Sequence, residues 1–275
     1  MSLGIAFKGP EGIVLAADSR VTLTAQHAAT NMTLPAYYDN ATKLLSVKGQ
    51  DYVGAVTYGV GALGGGPGAP QPRTAHSYIP EFEHELAGED RRLSVEEFAT
   101  KLSDFFLRQW NATMPPNTPA NETLVFLVGG YDEDAAYGRV FQVAIPTEPD
   151  PKEQSLDDFG ITWGGQAELA GRLIQGYDLQ LEPLITTHVH LNTSQMTNLR
   201  QKVLPALAVP IPFQFLPLQD CVDLAIFLVK VTATIQKWML GVRGVGGAVD
   251  VATITRTEGF KPIQQKQIEG ERIGS

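Results

Sequence analysis

Apolar side chains, interrupted only by Gly4, fill positions 3 to 7 and 13 to 17 on either side of Gly9-Pro10-Glu11. The pattern predicts a β-hairpin with strands at 2–8 and 12–18. Proline pre-sets φ and glycine supplies freedom, so Gly9-Pro10-Glu11 reads as a three-residue turn. That turn pairs Lys8 with Gly12. The register then opposes Phe7 to Ile13, Ala6 to Val14, Ile5 to Leu15, Gly4 to Ala16, Leu3 to Ala17 and Ser2 to Asp18. One face carries the larger apolar groups and suits a helix layer. The other is small and ends in Ser2 and Asp18. A slip of one residue would undo this sorting.

Further strands are predicted at 43–48 and 52–58, at 123–130 and 138–145 as a second hairpin, and at 247–255. Ser94 with Glu97 three residues on is a capping-box signature. It starts a helix to about Trp110 with Phe98, Leu102, Phe105 and Phe106 at helical spacing. A helix over 74–86 places Tyr78, Phe82 and Leu86 on one face, with Pro80 kinking it or delaying its start. Helices follow at 166–177, 194–206 and 219–240, and Gly64–Pro72 is a loop by its Gly/Pro content. Strands, two helices, strands, helices and a last strand describe an α+β protein, two sheets between helix layers, in a single domain over 1–275. Two segments exceed that plan. Residues 22–40 form a long link. Residues 205–217 form a stiff apolar stretch, read equally as a contact surface or as a lid on the chain's own helix. The tail from Lys261 is polar and expected to fray.

The 275 residues carry a formal net charge of −9 and are 43% hydrophobic. This balance argues against nucleic acid and anionic membranes as partners. No run has the length of a membrane span and no signal peptide is read, so the expected location is cytoplasmic. The single Cys221 fits a reducing compartment and falls in an apolar helical pattern, where a buried structural thiol is expected. Five Asn-X-Ser/Thr sequons, beginning at Asn31, Asn40, Asn111, Asn121 and Asn192, are read as compositional accident. His188 and His190 alternate as if on one strand face, without a third ligand, so no metal is expected. Glu81, Glu83 and Glu85 flank His84 on an expected exposed helix face. Gly64-Gly65-Gly66 lacks the Lys-Ser/Thr of a phosphate loop, and no cofactor is expected.

The candidate chemistry sits at Ser2. Removal of Met1 would leave a hydroxyl and a free α-amine on one residue. An α-amine titrates near pH 8 and can take the hydroxyl proton without a histidine. The bland alternative is that Met1 stays and Ser2 merely begins a strand.

Several segments, in order, resemble proteasome subunits and their bacterial relatives. Gly4-Ile-Ala-Phe-Lys8 with Gly12-Ile-Val-Leu-Ala-Ala-Asp18-Ser-Arg20 resembles their opening hairpin. Thr42-Lys43-Leu-Leu-Ser-Val47 is similar to the strand with the catalytic lysine, and Tyr52 to Gly61 to the next strand and turn. Thr123 to Asp132, Gly160 to Gly165 and Gly246 to Ile254 are similar to the central strand, the turn before the third helix and the last strand. The resemblance implies a four-layer αββα sandwich of the N-terminal-nucleophile hydrolases. It implies a peptidase of the threonine type, here with Ser2 as nucleophile, Lys43 beside it and Asp18 holding Lys43. Backbone N–H groups at Gly59, or at its rival Gly61, would form an oxyanion hole. It also implies a homo-oligomeric ring acting on a peptide or amide substrate, with any unfolding partner unknown. Apolar Tyr78, Ile79, Phe82 and Leu86, with Ile211, Phe213, Phe215 and Leu216, supply surface for such contacts. The match thins downstream. The Asp and Ser that the family's peptidases carry before the last Gly-Gly strand, and the Ser before the third helix, have no counterparts in Val242–Gly247 or Trp163–Gly165. A catalytically silent scaffold subunit and a small-molecule amidase are the alternatives.

Overall fold

The computed structural model describes residues 2–26, 33–65, 70–89, 91–154 and 158–267. In chain order the strands and helices are β1 (Leu3–Lys8), β2 (Ile13–Asp18), β3 (Val21–Gln26), β4 (Thr33–Tyr38), β5 (Leu44–Leu45), β6 (Val53–Gly59), α1 (Ile79–Leu86), α2 (Val95–Thr113), β7 (Leu124–Gly130), β8 (Arg139–Ile145), β9 (Glu148–Gln154), β10 (Gly160–Gly165), α3 (Glu168–Gln175), α4 (Leu181–His188), α5 (Thr193–Asn198), α6 (Leu218–Gln236), β11 (Val249–Thr255) and β12 (Gly259–Gln264). Two five-stranded antiparallel sheets result, ordered β10-β1-β2-β11-β12 and β5-β6-β7-β8-β9, and β3–β4 form a separate two-stranded sheet.

Three apolar clusters hold these elements. Phe82 of α1 and Phe98, Leu102 and Phe106 of α2 bury against Phe126, Val128 and Val143 of the second sheet. Leu3, Ile5, Phe7, Val14 and Ala16 bury against Ala170 of α3 and Val222, Ala225 and Leu228 of α6. Ala6, Ile13, Leu15 and Ala17 meet Val56, Tyr58, Val125 and Leu127 across the gap between the sheets. The first sheet is therefore apolar on both faces, which is why β1 and β2 are continuous apolar runs. At α2 the capping box forms: Ser94 Oγ accepts from the Glu97 N–H at 3.1 Å and Glu97 Oε2 from the Ser94 N–H at 2.9 Å. Cys221 is fully buried and its thiol is pushed up to about 11 by burial, as suits a packing residue.

The structure corrects several expectations. The hairpin pairs Gly4 with Ala17, Ile5 with Ala16, Ala6 with Leu15 and Phe7 with Val14, one residue off the predicted register. The Gly9 N–H donates to the Gly12 carbonyl at 2.9 Å, so the loop is the two-residue Pro10-Glu11. Ile13, Leu15 and Ala17 consequently face the other sheet, and Ser2 does not lie opposite Asp18. The predicted strand at 43–48 shortens to Leu44–Leu45. The link over 22–40 contains the β3–β4 hairpin, and its residues 27–32, with Asn31, lie outside the described residues. Pro80 enters at the start of α1, behind a 3-10 turn over Ala75–Tyr78. β9 was not expected, β10 replaces a turn, and β12 (Gly259–Gln264) orders the first residues of the tail from Lys261, where fraying was expected. His188 ends helix α4 and His190 sits at φ 51°, so the two do not share a strand face.

Tyr78, Ile79, Phe82 and Leu86 are all buried in the chain's own core and offer no surface for assembly. In 205–217, Phe213 packs edge-on against Phe7 at 5.7 Å, whereas Phe215 is 76% exposed. No described helix is long and apolar enough to cross a membrane.

Candidate functional site

Asp18 ends β2, where the chain leaves the first sheet, and Lys43 immediately precedes β5 of the second. Their side chains meet between the sheets, Nζ to Oδ1 at 2.7 Å, with both groups buried. Asp18 is the most heavily bonded side chain of the site. Its Oδ1 also accepts the Leu3 N–H at 3.0 Å, and its Oδ2 accepts the N–H groups of Arg20 and Gly246, each at 3.0 Å. The Lys43 ammonium makes a second bond, to the Arg20 carbonyl, at 2.6 Å. Burial draws the Lys43 amine below its ordinary range. Asp18 opposes that shift, and Lys266 adds to it.

Ser2 is 4% exposed and shares a small cavity with Lys43, Val21, Thr57, Tyr58 and Gly61. The cavity volume is about 20 Å³, room for one water. Gly59 does not line it. Gly59 ends β6 at φ 94°, where a Cβ would lie 2.0 Å from the Thr123 carbonyl oxygen, so only glycine fits. Of the predicted site residues, then, Ser2 and Lys43 share the cavity, Asp18 supports Lys43 from behind, and Gly59 stands off while Gly61 borders it.

The rim is also built. Arg20 holds Asp39 through two bonds, 2.6 and 2.8 Å, and clamps the base of the β3–β4 hairpin. Hydrogen bonding to Arg20 holds the Asp39 carboxyl below the usual carboxylate range. A Cβ on Gly246 would lie 2.4 Å from the Arg20 guanidinium carbon. That glycine lets the chain pass under Arg20 and present its N–H to Asp18.

Four residues near the site escaped sequence reading. Asp250 is buried, binds the half-buried Lys266 in a second ion pair and accepts from Ser19 Oγ at 3.4 Å. Gln166 and Gln236 bond each other, Nε2 of Gln236 donating to Oε1 of Gln166 at 2.7 Å. Asp250 is the one charged residue in the strand Val249–Thr255, a signal that was available. The glutamines carry no pattern that distinguishes them from surface residues. Among the described residues no group of three or more His, Cys, Asp or Glu side chains is placed to hold a metal ion.

Comparisons with known proteins bear on the fold. A solved Anbu (Gly-1) mutant from Hyphomicrobium sp. strain MC1 is similar over 97% of this chain and 86% of its own, with TM-score 0.54 and 14% identity. Anbu from Yersinia bercovieri, described as an ancestral beta-subunit, is similar over 99% of this chain and 100% of its own, with the same TM-score and identity. No family model matches the chain, and no curated protein matches it. The Anbu likeness establishes a shared fold. It corrects the assignment to the proteasome family drawn from short motifs, because 14% identity without any family match does not carry membership.

Proposed function

We propose that the chain is an amide-bond hydrolase whose nucleophile is Ser2 after removal of Met1. The observation that carries this reading is the buried Asp18–Lys43 pair at 2.7 Å on the cavity that Ser2 lines. A buried ion pair contributes little net stability and is costly to retain, so its place at a serine-lined cavity favours a chemical role. The released α-amine takes the Ser2 hydroxyl proton as Oγ attacks the substrate carbonyl carbon. The Lys43 ammonium favours the neutral amine and stabilises negative charge on Oγ. The amine then protonates the leaving nitrogen, and water hydrolyses the resulting ester. Gly61 borders the cavity and is better situated than Gly59 to bring a backbone N–H to the oxyanion.

The three apolar clusters support the finer description of the fold as a four-layer αββα sandwich. A catalytically silent scaffold is the second reading, favoured by the size of the cavity, about 20 Å³. Short peptide amides assayed with the parent and with Ser2→Ala decide between them. Turnover lost in Ser2→Ala supports the hydrolase. No turnover, or turnover indifferent to Ser2→Ala, supports the scaffold.

A further inference from the structure

We infer that Gln236 and Gln166 are positioning residues that hold the main chain of Ser2 against the site. The inference deepens the nucleophile reading above and rests on it for its catalytic consequence. The Gln166 N–H donates to the Ser2 carbonyl at 2.8 Å. This contact needs Gly165, at φ 87°, because a Cβ there would lie 1.9 Å from the same carbonyl oxygen. Gln166 Oε1 accepts from Gln236 Nε2 at 2.7 Å, and Gln236 Oε1 accepts the Val245 N–H at 2.9 Å. The next residue, Gly246, donates its N–H to Asp18, which in turn accepts from Leu3 and Lys43. The hydrogen bonds therefore close a circuit. It leaves the Ser2 carbonyl, crosses the β10–α3 turn and the last residue of α6, and returns through Asp18 to the Leu3 N–H.

Gln236 is 7% exposed and uses both ends of its amide with opposite polarity. No hydrocarbon or charged side chain can supply an acceptor to Val245 and a donor to Gln166 at once. The stretches 163–165 and 242–247, which lack ionisable supports near Ser2, are here joined by two neutral amides. An N-terminal nucleophile depends on the direction of its own amine and hydroxyl, and both pivot on the main chain that this circuit fixes. A misplacement of about 1 Å at such a group can lower turnover about a hundredfold.

The test compares the full-length parent with Gln236→Leu, Gln166→Leu and the double variant. Steady-state kinetics on a short peptide amide, thermal unfolding, and hydrogen exchange at the Leu3 and Gln166 amides are measured for each. Each single change is expected to lower kcat about tenfold or more with KM within about twofold. The double variant is expected to be no worse than the poorer single one, because the two side chains act as one unit. Exchange at Leu3 and Gln166 should quicken while that of β6 to β8 is unchanged. Turnover within twofold of the parent in Gln236→Leu, or fully additive losses, would overturn the inference and leave the hydrolase reading intact. Parent turnover that survives Ser2→Ala would instead remove the hydrolase reading. The exchange data then decide the tether alone, unchanged protection overturning it and faster exchange upholding it.

Discussion

Lys43 Nζ sits 2.7 Å from Asp18 Oδ1, and Asp18 at the same time accepts three backbone N–H groups, from Leu3, Arg20 and Gly246. Asp18 thus ties the first residues of β1, the exit of β2 and the entry to β11 to one carboxylate. Lys43 contributes a single charge to this knot, whereas Asp18 is its centre. Asp18→Ala is therefore expected to destabilise more than Lys43→Met. Removing one member of a buried ion pair costs about 3–5 kcal/mol, and the orphaned N–H groups add about 1–3 kcal/mol each. Urea unfolding of both variants checks the order. Equal losses would mean that the carboxylate acts only through Lys43.

Ser2 is expected to begin the mature chain. Its small side chain permits removal of Met1, and the proposed chemistry requires a free amine on Ser2. Intact mass spectrometry of the purified protein should give the full chain less one methionine. A variant in which processing is blocked should lose turnover while keeping its thermal transition. Retention of Met1 in an active protein would defeat the mechanism.

Tyr58 supplies a pH dependence with a definite sign. Its ring is buried between the sheets, and burial pushes the phenol up to about 12 from an ordinary value of 10. The unfolded chain therefore releases the proton first as pH rises. The stabilising contribution is fully present below pH 10 and is lost as pH rises through 12. A shift of that size corresponds to about 2–3 kcal/mol. Denaturant midpoints across this range should fall more steeply for the parent than for Tyr58→Phe. Parallel slopes would show that the phenol is solvated.

The sequence carried the outline of this fold further than its register. β1 and β2 are apolar on both faces, so either pairing buries the same side chains, and only the turn could decide. Gly9-Pro10-Glu11-Gly12 suits a two-residue or a three-residue loop, and the choice of three displaced the pairing by one. β9, Glu-Pro-Asp-Pro-Lys-Glu-Gln, has no apolar alternation to detect. It is an edge strand, where prolines cost no ladder bond on the open side. Helix α2 was legible because its capping box and its aromatic spacing agree. At the site, Ser2 and Asp18 could be singled out at the ends of the apolar hairpin strands, whereas Lys43 was legible only through the resemblance of Thr42-Lys43-Leu44-Leu45 to the family's strand. Gln166 and Gln236 could not, since a neutral amide in a helical or turn segment shows its role only through its partner, and these two are separated by 70 residues.

Gly164 offers the sharpest test of the packing behind the site. A Cβ on this residue would lie 2.1 Å from the Tyr58 Cζ and hydroxyl oxygen, and a Cβ on Gly4 would lie 2.8 Å from the same ring. The tyrosine thus lies flat beneath two glycines of neighbouring strands, β10 and β1, in the first sheet. The obstruction at Gly164 is the rigid ring and hydroxyl of Tyr58, buried between the sheets apart from the small cavity it lines. Gly164→Ala is expected to destabilise by about 1–3 kcal/mol through overpacking. The cause is specific, so the remedy should be too. In a Tyr58→Leu background the ring and hydroxyl that meet the new methyl are gone, and Gly164→Ala should then cost less than about 0.5 kcal/mol beyond the loss from Tyr58→Leu itself. A double-mutant cycle by urea unfolding measures this coupling directly. If the two losses simply add, the two residues do not touch, and the account of how β10 is held over β6 fails.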